Sequence, residues 1–486
     1  DDRGLTWQPA SDGLPAVAIA APELNRTAVT IAPVDADLLY AALNVTETID
    51  GVPAARILRS VDGGASWQDT GYEGYYLGFQ GWYDNALTVA PHDPSVVVAA
   101  GVWYVVSHDG GLTWTELNPY EAGDGLGTDT LPHGDGHDLQ WQDGRLWLGC
   151  DGGMWASDDD GLTWTARNTG LVTRQYYALA LDPARPSRVL GGTQDNGTGL
   201  RRDDDDDTWD VILESDGFDC AVNPILPDVA YGTMPTTLVF RSLDVGAADW
   251  VEVSPAIGSD NAPFLTPLEM RADDPAVLYT GSTRVWRTTT GGDRWEALPT
   301  TVGNGVWSGS LVWDVASTPA DPAALLVGKG GELYASSDGG ATWSVTSIGR
   351  IVTNVALSPH DPRVGLACLV ATAAGADNLL RTEDGGASWR PAGAGLPPFA
   401  VQVAEWDPLD PEVVYAGTDV GLYRSRDGGR TWTEHGDGLP AASVHDLEIP
   451  ADAGRLVVAT HGRGVWQLEL ERPANTPPAV SLQGLA

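Results

Sequence analysis

His133, Asp135 and His137 alternate along the chain. On an extended strand all three point to one side, where two imidazoles and a carboxylate can meet a divalent cation. Asp195 and Asp219 lie in later turns and bring further oxygens. These five residues form the expected metal set. Its oxygen content favours calcium, whereas zinc or manganese would need both histidines turned inward. No organic cofactor is expected. Asp135, Asp195 and Asp216 are also the candidates for catalysis, because two carboxyl groups about 5 to 9.5 Å apart can act as general acid and base in glycoside hydrolysis.

A third set is suited to contact rather than reaction. Tyr75, Tyr76, Phe79, Trp82 and Tyr83 crowd one segment, GYEGYYLGFQGWYDN from Gly71 to Asn85. Aromatic rings there offer large contact area at small entropic cost, and Gln194 and Asn196 add amides. Each set also has a plainer reading. Asp-Gly and Asn-Gly pairs are turn formers, close acid pairs arise by chance among 67 acidic residues, and rings can plug a wide central hole.

What must position these groups is a repeat. The octapeptide Ser/Thr-x-Asp-x-Gly-x-Ser/Thr-Trp occurs complete six times, ending at Trp67, Trp114, Trp164, Trp343, Trp389 and Trp432. Degenerate copies end at Trp7, Trp209, Trp250 and Trp295. From Trp67 onward the tryptophans recur every 41 to 50 residues, the period of a four-stranded propeller blade. The aspartate can bond N–H groups of its own turn, the glycine permits a positive φ, and the tryptophan can wedge between sheets. A second repeat of Asp-Pro turns, such as Asp93-Pro94, Asp361-Pro362 and Asp410-Pro411, precedes the octapeptides. Proline is excluded from central strands, so these segments are turns too.

The expected fold is all-β, a single ten-bladed propeller of four-stranded antiparallel blades over residues 1–470. Residues 444–470 offer three strands with no octapeptide after them, and the chain begins on an octapeptide with no strands before it. The N-terminal segment is therefore expected to join the C-terminal blade as its fourth strand, which leaves no open sheet edge. Residues 471–486 are expected to be a proline-containing tail or a linker toward further C-terminal domains. Strand alternation places octapeptides and Asp-Pro turns on one face. The irregular loops that carry the candidate residues then lie on the opposite face.

The octapeptide resembles the Asp-box, or BNR repeat, of sialidases, xyloglucan hydrolases and the sortilin luminal domain, where it closes the hairpin between the third and fourth strands of a blade. The ordered set Gln80-Gly81-Trp82-Tyr83-Asp84, then His133, Asp135 and His137, then Cys150-Asp151-Gly152-Gly153, then Gln194-Asp195-Asn196-Gly197, then Asp216-Gly217 is similar to a group of exported bacterial propellers. That resemblance covers nearly all of residues 60–470. It implies a propeller and a bacterial extracellular, cell-surface or periplasmic location, and it transfers no catalytic residue. The enzyme families fit less well: the arginine cluster of sialidases does not assemble here, and xyloglucan hydrolases use two seven-bladed propellers in a longer chain. Sortilin's cysteine-rich extension is missing as well.

Charge narrows the partners. With 67 acidic and 27 basic residues the net charge is −40, and Lys329 is the single lysine. A polyanion would meet a repulsive field and few cations, so nucleic acid is excluded as a partner and anionic membrane surfaces are disfavoured. No apolar run reaches the roughly 18 residues of a membrane helix, so direct insertion is not expected. Asp203 to Asp207 is expected as a solvated turn. Cys150, Cys220 and Cys368 leave at least one thiol free. The expected function is an extracellular binding or scaffolding propeller that recognises a glycan, peptide or protein on the face opposite the octapeptides. Its alternatives are a carbohydrate-active hydrolase or lyase using rim carboxylates, and an assembly factor of a membrane or cell-surface complex.

Overall fold

The computed structural model describes Asp12 and residues 26–122, 128, 130–185, 187–202, 208–247, 249–257, 260–371, 377–451, 454–470 and 482–485. Among these residues the chain forms ten four-stranded antiparallel sheets and one short helix, Pro119–Ala122. In chain order the sheets span 27–69, 86–117, 136–166, 176–213, 220–252, 268–297, 312–347, 352–391, 401–435 and 443–485.

Burial explains the strand composition. Second strands such as Leu325–Lys329 and Val414–Thr418 are buried along their whole length, because a neighbouring sheet covers each face. They therefore read as continuous apolar runs rather than alternating ones. Fourth strands such as Gln68–Asp69 and Thr165–Ala166 are short and exposed, which leaves little free edge for another chain to pair with.

The octapeptide links the third strand to the fourth. In the copy from Ser336 to Trp343, the Ser336 hydroxyl donates to Asp338 Oδ1 at 2.8 Å and accepts the Gly340 N–H at 2.9 Å. The Thr342 N–H and hydroxyl donate to Asp338 Oδ1 and Oδ2 at 2.8 and 2.7 Å. Gly340 has φ +83°, and a Cβ there would lie 2.5 Å from Leu298 Cδ1, so the position needs glycine on both counts. Trp343 is buried against the preceding sheet, and its indole N–H donates to the Pro299 carbonyl at 2.9 Å.

The chain divides into two compact units, residues 1–170 and 171–486. In the first unit, sheets one to three pack in succession. Tyr40 and Ile57 meet Val97 and Val105 between sheets one and two, and Val98 and Val106 meet Leu146 and Leu148 between sheets two and three. In the second unit, the first strand of each of the seven sheets packs against the first strand of the next, and Ser443–Glu448 of the last packs against Tyr176–Leu181 of the first. Tyr176, Leu179 and Val189 share a core with Val457, Ala459 and Val465. The seven sheets thus close on themselves, with their first strands innermost, which is the geometry of a β-propeller.

This corrects the expected single ten-membered ring. Ten sheets are present, but sheet ten closes onto sheet four, because complementary apolar side chains meet there. The expected N-terminal closing strand is also corrected. Leu482–Leu485 pairs antiparallel with Val465–Glu469 as the fourth strand of sheet ten, so part of the expected tail belongs to a sheet. A partner close in sequence costs less loop-closure entropy than one from the far end of the chain. The truncated octapeptide ending at Trp7 and the segment 203–207 lie outside the described residues.

Candidate functional site

The first strands of the second unit begin at the end of the ring opposite the octapeptides, and several begin with a bulge. Register shifts fall at Tyr176/Ala178, Val312/Asp314, Val352/Asn354, Val401/Val403 and Val444/Asp446. A bulge re-aims side chains and releases backbone groups from the ladder. Asp446 Oδ2 accepts the Leu179 N–H at 2.7 Å, Asp314 Oδ2 the Val355 N–H at 2.8 Å, and Asn354 Oδ1 the Ala404 N–H at 3.1 Å. Asp219 Oδ2 accepts the Leu268 N–H at 2.8 Å, and Glu269 Oε1 the Ser317 N–H at 2.9 Å. Each bond runs from one sheet to the next, so these side chains clasp the ring from inside.

Carboxylates gathered in a channel resist ionisation. Burial, and then the charges of Asp446 and Glu269, push Asp219 up to about 7 against the opposing Leu268 bond. Burial likewise raises Glu269 to about 7, Glu405 to about 8 and Asp446 to about 6, and lifts Asp314 and Glu448 well above the ordinary range.

Above this layer the seven sheets open into a cavity of about 340 Å³. Its walls include Tyr177, Phe218, Trp313, Asn354, Gln402 and His445. Tyr177 packs its ring against Phe218 and His461, both at 5.3 Å, and donates its hydroxyl to Gln194 Oε1 at 2.7 Å. His445 and His461 stack at 4.6 Å. Burial, then the neighbouring His461 charge, holds His445 down at about 4, so the imidazole is neutral at physiological pH.

The sequence candidates are placed as follows. Gln194 supports the cavity wall through Tyr177, and Asn196 donates to the Gln194 carbonyl at 3.1 Å. Asp195 has φ 58°, and its N–H donates to Asp216 Oδ1 at 2.8 Å, so that pair of carboxyl-bearing residues builds a turn. In the first unit Phe79, Trp82 and Tyr83 are exposed, Tyr75 packs edge-on against Trp103, and Tyr76 is fully buried. Tyr76 is therefore a core residue and is corrected as a contact residue. All three cysteines are free.

Of the expected metal set, His133, Asp135 and His137 belong to the first unit, and Asp195 and Asp219 to the second. His133 is buried with Nδ1 on the Gly134 carbonyl at 3.0 Å, and His137 Nε2 lies 2.6 Å from Asp151 Oδ1. Asp219 is used by the Leu268 N–H. Among the described residues no group of three or more His, Cys, Asp or Glu side chains is arranged to hold a metal. Asp84, which the sequence reading passed over, lies beside Asp135. Burial, followed by the Asp135 charge, pushes it up to about 9.

Of the clasp residues the sequence reading named only Asp219, as a metal ligand, and it missed the cavity. A signal existed: Val-x-Asp/Asn opens three first strands, at Val312–Asp314, Val352–Asn354 and Val444–Asp446. Attention to loops, rather than to strand starts, hid it.

No family model and no curated protein sequence matches the chain. Among solved structures, the GH74 enzyme of Niastella koreensis is similar at 15% identity, covering 90% of this chain and 83% of its own, with a TM-score of 0.35. YCF48 from Cyanidioschyzon merolae is similar at 16% identity over 60% of this chain and 94% of its own, with a TM-score of 0.45. YCF48 bound to D1 peptide is similar at 13% identity over 63% and 95%, with a TM-score of 0.46. No residue role is carried over from these proteins to this chain.

Proposed function

We propose that this chain is a binding propeller whose ligand, a glycan or peptide group, enters the mouth of the seven-sheet ring opposite the octapeptides. The observation that supports this reading is convergence: first strands of five sheets and the segments leading into the other two line one cavity of about 340 Å³. Binding sites combine apolar walls with a few fixed polar groups. Here Tyr177, Phe218 and Trp313 offer faces for stacking, and Asn354, Gln402 and the acidic floor offer acceptors for hydroxyl or N–H donors. Hydrolysis is the weaker reading, because both Asp314 oxygens and both Asp446 oxygens already accept backbone N–H groups. The bacterial, extracellular or periplasmic setting is proposed from the motif resemblance.

The test is a glycan and peptide binding screen with wild type, followed by Trp313→Ala and Tyr177→Ala. Each truncation should weaken a captured ligand by about 10-fold or more, as expected for aromatic anchors, while the melting temperature stays near wild type. A ligand that both variants bind as wild type does would move the site elsewhere and defeat the reading.

A further inference from the structure

If the mouth of the seven-sheet ring is the binding site proposed above, its rim and its charge select among ligands. The rim is apolar. Phe264, Ile351, Phe399 and Val420 are between 40 and 54% exposed, and each is tied to the cavity. Phe264 packs its ring against Phe218 of the lining at 5.1 Å, and Ile351 lines the cavity itself. Phe399 stands in the segment that leads to the lining residue Gln402, and Val420 follows Asp419, whose Oδ1 accepts from Gln402 Nε2 at 2.7 Å. These four side chains come from the segments entering sheets six, eight and nine and from the turn between the second and third strands of sheet nine. Large apolar groups left in water beside a cavity mark a contact surface.

Within the rim the lining is aromatic and acidic. Tyr177, Phe218 and Trp313 share it with Asp219, Asp314 and Asp446, and no lysine or arginine belongs to it. Arg350, next to Ile351 in the chain, is turned onto the carbonyls of Asp377 and Val370 at 2.6 and 2.7 Å. Asp219 gives only Oδ2 to a protein donor, the Leu268 N–H at 2.8 Å. A guanidinium or ammonium is attracted to carboxylates and to ring faces alike, whereas an anion meets no counter-charge in this lining. Aliphatic Ile351 and Val420 offer a pyranose no flat face to stack on, but they pack well against apolar peptide side chains.

We propose that the mouth takes a polypeptide segment in which an arginine or lysine side chain enters the cavity while apolar neighbours in that segment pack on Phe264, Ile351, Phe399 and Val420. The choice of a peptide over a glycan comes from the rim, and the choice of a cation from the lining.

The test is fluorescence anisotropy of the full chain with short, capped, dye-labelled peptides that carry one central arginine among leucines and phenylalanines. Companion peptides replace the arginine with citrulline, which keeps the shape and removes the charge, or the apolar neighbours with serine; a neutral glucan oligosaccharide is titrated by calorimetry. The arginine peptide should bind at least tenfold more tightly than the citrulline and serine peptides. Asp219→Asn, which keeps the acceptor for Leu268, should weaken the arginine peptide several-fold and leave the citrulline peptide unchanged. Phe264→Ser and Phe399→Ser lie on the surface and serve if Asp219→Asn fails to fold; each should weaken the arginine peptide about threefold or more with an unchanged melting temperature. Equal binding of the arginine and citrulline peptides, or no effect of either rim variant, would overturn the proposal. Glucan binding that Trp313→Ala abolishes, with no peptide bound, would overturn it and leave the mouth as the binding site. Binding of neither class would count against both.

Discussion

The two ends of the seven-sheet ring treat the same side chain in opposite ways. At the octapeptide end the Thr342 hydroxyl and N–H, then the Ser336 hydroxyl, hold Asp338 at about 2. At the mouth, burial drives Asp219 to about 7 although it accepts a backbone N–H. The difference lies in how many donors face the carboxylate against how much water it loses. Octapeptide aspartates sit in solvent with several donors and shape a turn. Channel carboxylates have at most two donors and one another for company, so they resist charge, and Asp219, Glu269, Asp314 and Asp446 among them hold the ring together. Acidity at one end is a device of local folding, and at the other a property of the assembled ring.

The largest effect should come from the octapeptide end through packing rather than charge. Trp432 is buried between sheets eight and nine, with its indole N–H on the Ala392 carbonyl at 2.8 Å. Trp432→Ala should cost about 3–5 kcal/mol in a urea unfolding titration. A loss below about 1 kcal/mol would mean the wedge does not set stability at that end.

Next comes the clasp that closes the ring. Asp446→Ala should cost about 2–3 kcal/mol, because it strands the Leu179 N–H in the interior. Asp446→Asn keeps an acceptor oxygen and removes a charge, so it should lose much less. Equal damage from both would show that the charge, rather than the acceptor, holds the seam.

The smallest effect is a pH slope. Carboxylates raised in the folded chain (Asp219 and Glu269 to about 7, Glu405 to about 8) keep protons that the unfolded chain releases above its ordinary range near 4. Their contribution is therefore lost as pH rises toward 8. His445, depressed to about 4, acts in the opposite sense below the ordinary imidazole value of 6.5, so the carboxylates are seen alone above that. The melting temperature should fall between pH 6.5 and 8, and Glu405→Gln should flatten the fall. A flat or rising profile would break the contrast between the two ends.

Much of this was legible in sequence for a physical reason. The octapeptide is a local device: its serine, aspartate, glycine and threonine satisfy one another within eight residues, so spacing alone counted ten sheets and told which face the turns occupy. The clasps left only a faint trace, Val-x-Asp/Asn at strand starts, because their partners are backbone groups of another sheet and carry no side-chain signature. Asp84 was harder still, since the Asp135 carboxyl beside it comes from a separate segment. Tyr76 and Trp82 looked alike in one aromatic segment, yet one is core and the other surface.

The sequence by itself determined the repeat, the four-stranded sheets and the acidic character, because each follows from neighbours along the chain or from composition. Only the tertiary structure decided that sheet ten meets sheet four, that seven sheets share one mouth, and which carboxylates crowd together in its partly buried channel. Those outcomes depend on which apolar surfaces meet across long stretches of chain, and alternating valines and leucines read the same whichever partner they find.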